Sequence, residues 1–227
     1  MPFKWRPDGT YVENLKNTRK IMPFLMHGRV ESTVYYEQHL EVEKAWKYVE
    51  DFKQRTGLHA TILHFIIWRI GQVLEKRPGL NRFVAGRRIY QRDDVWVSFS
   101  MKKEMTDDAP LVVVKKKIDP HATFEETVRY IQSGIAKGRE GSKSISDREM
   151  DFVFMLPNFM VSFFTWLLKT LNHFGLLPGN LIKADELFGS VFIANLGSIG
   201  LQPAYHHLYE WGDIPIFMAL GSNEPRM

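Results

Sequence analysis

Two apolar runs near the end of the sequence decide the fold class. Residues 191–200 read VFIANLGSIG and residues 214–221 read IPIFMALG. Each contains an apolar run of strand length bounded by glycine or proline, which is typical of a buried strand that leads into a turn. The two runs therefore predict two strands in the C-terminal part of a sheet.

Upstream of these runs, the sequence carries further strand patterns and several helix patterns. Strand candidates are STVYYEQ at 32–38, RFVAGRRIY at 82–90, VWVSFSM at 95–101 and LVVVKKKI at 111–118. Apolar residues recur at helical spacing in EVEKAWKYVEDFKQRTG at 41–57 and fill most of HATILHFIIWRIGQVLEKRPG at 59–79. Thr123 and Glu126 form a capping box that begins a third helix. The order predicts an α/β domain of two layers, with a mixed sheet and helices on one face.

The N-terminal 30 residues show no sustained period. They contain Pro2, Pro7 and Pro23 together with two glycines, so we expect an extended arm without regular secondary structure over 1–30, followed by one domain over 31–227. No apolar stretch follows the first charges, as it would in a secretory signal. The expected location is cytoplasmic, with association to a membrane as the alternative.

Composition and charge exclude several classes of site. The 227 residues include no cysteine, which excludes disulfides, thiolate metal sites and a cysteine nucleophile. The net charge is +7 over residues 1–150 and −3 over residues 151–227. Such dilute positive charge, without interleaved aromatic residues, does not indicate a nucleic-acid interface.

Residues 152–182 are unusually apolar and carry only one fixed charge, Lys169. Pro157 and Pro178 should break the segment into separate helices, because proline disfavours helix in the residue before it. The interruptions argue against a membrane span. We expect a helical insertion at about 150–182 that packs on the domain or on a neighbouring subunit, and the alternative is a helix that lies on a membrane surface.

Taken together, these strings resemble the catalytic domain of the dihydrolipoamide acyltransferases of 2-oxoacid dehydrogenase complexes, which share the chloramphenicol acetyltransferase fold. The resemblance is specific at NLGSIG (195–200), where the family has N-L-G-x-x-G, and at IFMALG (216–221), where it has A-I-L-x-V-G. It implies transfer of an acyl group between coenzyme A and a dihydrolipoyl-type thiol or another acceptor. It also implies coenzyme A or acyl-CoA as substrate without a covalent cofactor, a homotrimer with its acyl channel between subunits, and a lipoyl domain that acts in trans.

The sequence departs from this family at both catalytic positions. The family has a serine or threonine hydroxyl before N-L-G, where this chain has Ala194, and it takes its base from an H-x-x-x-D-G motif that these 227 residues do not contain. We therefore expect either that the family's C-terminal segment lies beyond Met227 or that the protein is a degenerate relative. In the second case it is a non-catalytic trimeric scaffold or an acyl-CoA-binding protein. In both cases we expect these 227 residues to be a poor acyltransferase.

Two histidines are the candidates for a replacement base. His206 and His207 lie between the two motifs, and an imidazole with a pKa near 6.5 suits proton transfer from a thiol. Asn195 and Ser198 are the candidates for substrate binding, and Ala194 marks the oxyanion position whose hydroxyl is lost. The alternative for both histidines is a packing role.

Other polar groups are interpreted as structural or solvated. A metal site built from His206, His207 and Glu210 is disfavoured, because adjacent side chains on a strand point to opposite faces. Lys115-Lys116-Lys117 and Arg87-Arg88 offer positive charge for the phosphates of coenzyme A, but the alternation of side chains in a strand favours a solvated sheet edge.

Overall fold

The computed structural model describes residues 4–26, 28–102, 111–140 and 155–222, and within these ranges the strands form two sheets. The smaller sheet is antiparallel, in the order β1-β3-β2, with β1 at Gly9–Tyr11, β2 at Arg82–Ala85 and β3 at Arg88–Arg92. The larger sheet has the order β5-β4-β6-β7, with β4 at Val95–Lys102, β5 at Leu111–Ile118, β6 at Val191–Asn195 and β7 at Ile216–Leu220.

The helices lie at α1 (Asn17–Leu25), α2 (Glu43–Thr56), α3 (Ile62–Lys76), α4 (Phe124–Glu140), α5 (Asn158–Phe174) and α6 (Gly179–Ala184). The predicted capping box begins α4, because the Thr123 amide and hydroxyl both donate to Glu126, each at 2.8 Å. Gly57 closes α2 in the left-handed conformation.

The four-stranded sheet carries the main core on the face that α3 and α4 cover. β5 is antiparallel to β4, whereas β6 and β7 run parallel to it. Alternation along β4 turns Val97 and Phe99 toward the helices, where they pack with Ile67, Ile131 and Ile193. The predicted two-layer α/β architecture with a mixed sheet is confirmed.

The prediction of one strand at RFVAGRRIY and of a single sheet is wrong. The run is a hairpin of β2 and β3, and its turn residues Gly86 and Arg87 both have positive φ, at 55° and 60°. A two-residue turn with both φ values positive matches the twist of paired strands, and glycine makes it accessible. A glycine inside a strand pattern was the signal of this break.

Two expectations for the N-terminal region are also wrong. Residues 1–30 contain β1, which pairs with β3, and α1, so regular structure is present in the expected arm. STVYYEQ forms no strand in the described residues. Its aromatic residues instead contact the segment before β7: Tyr35 packs edge-on against Tyr205, and the Tyr205 hydroxyl donates to Glu37 at 2.7 Å.

The apolar insertion is helical and breaks where the prolines stand, as predicted. α5 begins after Pro157 and α6 begins after Pro178, while residues 150–154 lie outside the described residues. One face of α5, with Leu168 and Leu171, packs on a small core of Leu177, Ile182 and Phe188. Within the described ranges, no helix is both long and apolar enough to cross a membrane.

Candidate functional site

The face of the large sheet that turns away from α3 and α4 carries small side chains at one end. In the register of the sheet, Ser100 of β4 pairs with Ala194 of β6, and Ala194 pairs with Ala219 of β7. These three residues, here called the open row, are half-buried and lie side by side on adjacent strands. Neighbouring strands are about 4.8 Å apart, so the Ser100 hydroxyl lies one strand away from the predicted oxyanion position at Ala194.

His206 lies over the same face of the sheet. Its ring stacks on Phe217 with a centroid distance of 4.3 Å and an interplanar angle of 6°, and Phe217 stacks on Phe192 at 5.2 Å and 7°. Phe192 is two residues before Ala194 on β6, so both side chains lie on one face. The structure therefore brings predicted residues His206 and Ala194 to the same side of the sheet.

The tautomer of His206 follows from one hydrogen bond. Nδ1 lies 2.6 Å from the carbonyl oxygen of His207. A carbonyl oxygen only accepts, so Nδ1 donates, and in the neutral ring Nε2 keeps the lone pair. Nε2 is consequently the atom of this ring that can take a proton.

His207 is exposed and differs in environment from His206. The two rings stack at 5.4 Å and 14° because residues 201–209 do not form a strand. The expectation that their side chains point to opposite faces is therefore wrong. Even so, no group of three potential metal ligands occurs among the residues that the structure describes.

Asn195 and Ser198 lie at the end of β6. Asn195 is the last residue of the strand, and Ser198 belongs to the short 3₁₀ turn Leu196–Ile199. The Ser198 hydroxyl donates to the Asn195 carbonyl at 2.7 Å, which stabilises the turn. Binding of substrate by either residue stays a prediction.

Residues near the N-terminus hold the segment that carries His206. Arg29 donates from Nη1 to the Trp211 carbonyl at 3.0 Å and from Nη2 to the Ile214 carbonyl. The Val30 amide donates to Glu210 Oε1 at 2.9 Å. Glu210 therefore helps to hold the segment that carries His206 against the N-terminal residues.

A buried charge network, absent from the sequence-based predictions, lies before β7. Asp213 accepts from Arg92 Nη2 at 2.6 Å and from Arg6 Nη2 at 3.4 Å, and Asp8 accepts from Arg6 Nε at 2.7 Å and from Arg92 Nη1 at 3.3 Å. Burial, with the nearby Asp8 charge, raises the pKa of Asp213 to about 6 although both arginines oppose the shift. The network ties the N-terminal segment and β3 to the residues that precede β7.

The interpretation of Lys115-Lys116-Lys117 as a solvated sheet edge is wrong for Lys115, which is partly buried. Its Nζ donates to the carbonyls of Ile182 at 2.7 Å and Asp185 at 2.8 Å, and burial lowers its pKa to about 8. It lines a cavity of about 60 Å³ that also contacts Arg92 and Trp96, which is room for a few water molecules rather than a cofactor. Lys117 does remain exposed, in an ion pair with Asp94.

The arginine pair lies elsewhere on the molecule. Arg87 is in the β2–β3 turn, 5.6 Å above the ring of Phe24, and Arg88 Nη1 donates to the Tyr90 hydroxyl at 3.5 Å. Both belong to the three-stranded sheet, whereas His206 lies over β7 of the four-stranded sheet. The structure does not join this pair to the open row.

Ser100 was not among the site residues that the sequence predicts. The alternation of Val95, Val97, Phe99 and Met101 was the available signal, since it places Ser98 and Ser100 on the opposite face. Ser98 is fully buried and donates to the Glu186 carbonyl at 2.7 Å, so its hydroxyl serves the fold. Ser100 occupies the open row instead.

Comparison with known proteins confirms the resemblance that the sequence suggests, although no family model matches the chain. The chain is 25% identical over 151 residues to the lipoamide acyltransferase component of the branched-chain α-keto acid dehydrogenase complex of Bacillus subtilis, a match that spans 64% of this chain and about a third (32%) of that relative. Among solved structures it is similar to a probable dihydrolipoamide acetyltransferase from Listeria monocytogenes, with a TM-score of 0.52, 17% identity and 96% of this chain and 77% of the other covered.

It is also similar to a truncated catalytic core of the 2-oxoacid dehydrogenase multienzyme complex from Thermoplasma acidophilum, with a TM-score of 0.54, 14% identity, and 95% of this chain and 81% of the other covered. The chain therefore has the fold of a dihydrolipoamide acyltransferase catalytic core.

Proposed function

We propose that this chain transfers an acyl group between coenzyme A and a thiol, with His206 as the base. The observation that carries the proposal is the placement of the His206 ring, which lies over the sheet face of Ala194 with its Nδ1 proton held by a carbonyl oxygen. The likeness to a lipoamide acyltransferase component supports the class of reaction. A thiol of the dihydrolipoyl type is the acceptor that this likeness favours.

The proposed reaction is a thioester exchange. Nε2 of His206 removes the proton of the acceptor thiol, and the thiolate attacks the thioester carbonyl carbon of acyl-CoA. The tetrahedral intermediate then collapses, the carbon–sulfur bond to coenzyme A breaks, and the departing thiolate takes the proton back from His206. No redox change or metal ion enters the sequence of steps.

Ser100 is the proposed donor to the oxyanion. Ala194 has no hydroxyl, but its partner in the register, Ser100, has one at the same level of the sheet. A donor that bonds the developing oxyanion is typically worth about 10²-fold or more in kcat. In this proposal, the Ser100 hydroxyl on β4 replaces the serine or threonine hydroxyl that the family has on β6, at the position of Ala194.

The test is an assay of coenzyme A release from acetyl-CoA and dihydrolipoamide. His206→Gln should lower kcat/KM by about 10²-fold, the lower range for general-base catalysis, while His207→Gln, the adjacent exposed imidazole, should stay within about twofold of wild type. Equal activity of wild type and His206→Gln would exclude His206 as the base. Ser100→Ala should lower kcat with little effect on KM, and Ala194→Ser introduced into Ser100→Ala should restore part of it.

The second candidate is a non-catalytic scaffold that binds acyl-CoA. Ala194 is the observation that favours it, because the hydroxyl of the family's motif is lost there. Binding of coenzyme A without turnover in any variant would support this candidate. For both candidates we propose a homotrimer, in which a neighbouring copy closes the open row, and light scattering should then report about three times 26.5 kDa.

A further inference from the structure

Two helices of this chain leave large apolar side chains uncovered. All residues of α1 and α5 are described, and none in either helix is buried. The exposed fraction is 49% for Phe24 on α1, and 54% for Phe163 and 60% for Trp166 on α5. Large exposed apolar side chains that cluster on the surface of a soluble protein commonly mark a binding site.

The two helices lie on either side of the β2–β3 turn. Arg87 of the turn lies over the ring of Phe24 at the end of α1, and Gly86 approaches the carbonyl of His173 at the end of α5. Trp5, which is 71% exposed, lies beside the C-cap of α5, where its carbonyl approaches Gly175. We call the exposed side chains of these elements the α1–α5 surface; its main members are Trp5, Ile21, Phe24, Phe163, Trp166 and Leu176.

Charge on the helices of the α1–α5 surface is positive. None of the chain's 26 acidic residues lies in 14–30 or in 152–184, although these ranges include six lysines and arginines. Lys16, Arg19 and Lys20 are exposed on and beside α1, and Lys169 is exposed on α5. The nearest acidic residue before α1, Glu13, is exposed; it is paired with Lys4 at 2.7 Å and also interacts electrostatically with Lys20.

We propose that the α1–α5 surface docks on the anionic surface of a lipid bilayer. Exposed aromatic residues among mostly basic ones match the composition of helices that lie in the membrane interface. A twofold contact between two copies of this chain fits less well, because it would place the lysines and arginines of both copies against each other. A contact within the proposed trimer joins two different patches, and the light-scattering test below distinguishes it from lipid docking. The docking is independent of the proposed acyl transfer, since His206 lies over the other sheet.

Flotation of the full chain with lipid vesicles tests the docking. Wild type should bind vesicles that contain 30% phosphatidylglycerol at least tenfold more strongly than vesicles of phosphatidylcholine alone, and added salt should weaken the binding. Phe163→Ser combined with Trp166→Ser should weaken it by a further tenfold or more. Trp46→Ser removes a comparably exposed aromatic side chain on α2 and should have no effect.

A charge variant separates electrostatic from apolar contributions. Lys20→Gln should weaken binding to the anionic vesicles about fivefold, and it should leave binding to neutral vesicles unchanged. Light scattering of every variant should report the oligomeric state of wild type. If wild type binds neither vesicle, or if the double variant dissociates an oligomer, the surface is not a lipid-docking surface, and in the second case it is an interface between copies. Coenzyme A release by His206→Gln and by wild type tests the acyl transfer separately.

Discussion

Replacement of Lys115 by methionine should remove a large pH dependence from the stability of the protein. Burial lowers the pKa of Lys115 from 10.5 to about 8, while its Nζ donates to the carbonyls of Ile182 and Asp185. Between pH 8 and pH 10.5 the unfolded chain keeps a proton that the folded protein has released. The free energy of unfolding of wild type therefore rises with pH across this window, and that gain is lost below pH 8.

The magnitude follows from the shift of the pKa. A change from 10.5 to about 8 corresponds to roughly 3 kcal/mol at 1.36 kcal/mol per unit. The side chain is only partly enclosed, so solvent screening reduces the expected effect to about 2 kcal/mol. With a urea m-value of roughly 2–3 kcal/mol/M, the wild-type midpoint should rise by roughly 0.7–1 M relative to Lys115→Met between pH 7 and pH 10.

Urea unfolding followed by circular dichroism at the two pH values measures this difference. Lys117→Met is the matched control, because Lys117 lies two residues along the same strand and its side chain is exposed. Titration of the groups that interact with neither lysine is common to the three proteins and cancels in the comparison. Parallel pH dependences for wild type and Lys115→Met would refute the assignment of Lys115 as a partly enclosed lysine with a lowered pKa.

Two further pairs of substitutions test the fold. Gly86→Ala should destabilise the protein more than Gly57→Ala, although both glycines have positive φ. A Cβ at Gly86 would meet the His173 carbonyl, whereas no described atom lies within 4 Å of a Cβ at Gly57. Thermal unfolding compares the two variants, and equal melting temperatures would contradict the contact at Gly86. Ile193→Ala should lower the free energy of unfolding by about 2–5 kcal/mol, because Ile193 is buried in the core. Val84→Ala, on the exposed hairpin, should lower it much less. Equal urea midpoints for the two variants would show that Ile193 is not a core residue.

Much of the central layer is predictable because its signals are local. The alternation of Val95, Val97 and Phe99 fixes which face of β4 enters the core, and the capping box at Thr123 fixes where α4 begins. Gly221 likewise follows directly after β7, where the pattern indicates the end of that strand. In each case a few neighbouring residues carry the whole signal.

The candidate site was predictable only in part because it depends on contacts between distant residues. The stack of His206 on Phe217 joins a loop to β7, and nothing in the spacing of the sequence indicates that two rings eleven residues apart lie parallel at 4.3 Å. The pairing of Ser100 with Ala194 depends on register across 94 positions. Aromatic composition at 32–38 predicted a strand, but tertiary packing against Tyr205 overrides that local preference.

The segment 152–182 is interpreted from its sequence either as packed on protein or as lying on a membrane, and these two interpretations need not exclude each other. A helix that is apolar around its circumference has no single favoured face, so periodicity does not tell which side is covered. In α5, Leu168 and Leu171 pack on the domain, while Phe163 and Trp166 remain exposed on other faces of the helix. The side that packs explains why α5 is held in place, and it leaves the aromatic side fixed in orientation before any partner arrives. An exposed apolar face that is already ordered loses little conformational entropy on binding. Substitutions at Phe163 and Trp166 should therefore change binding to lipid and leave the thermal stability of the domain close to that of wild type.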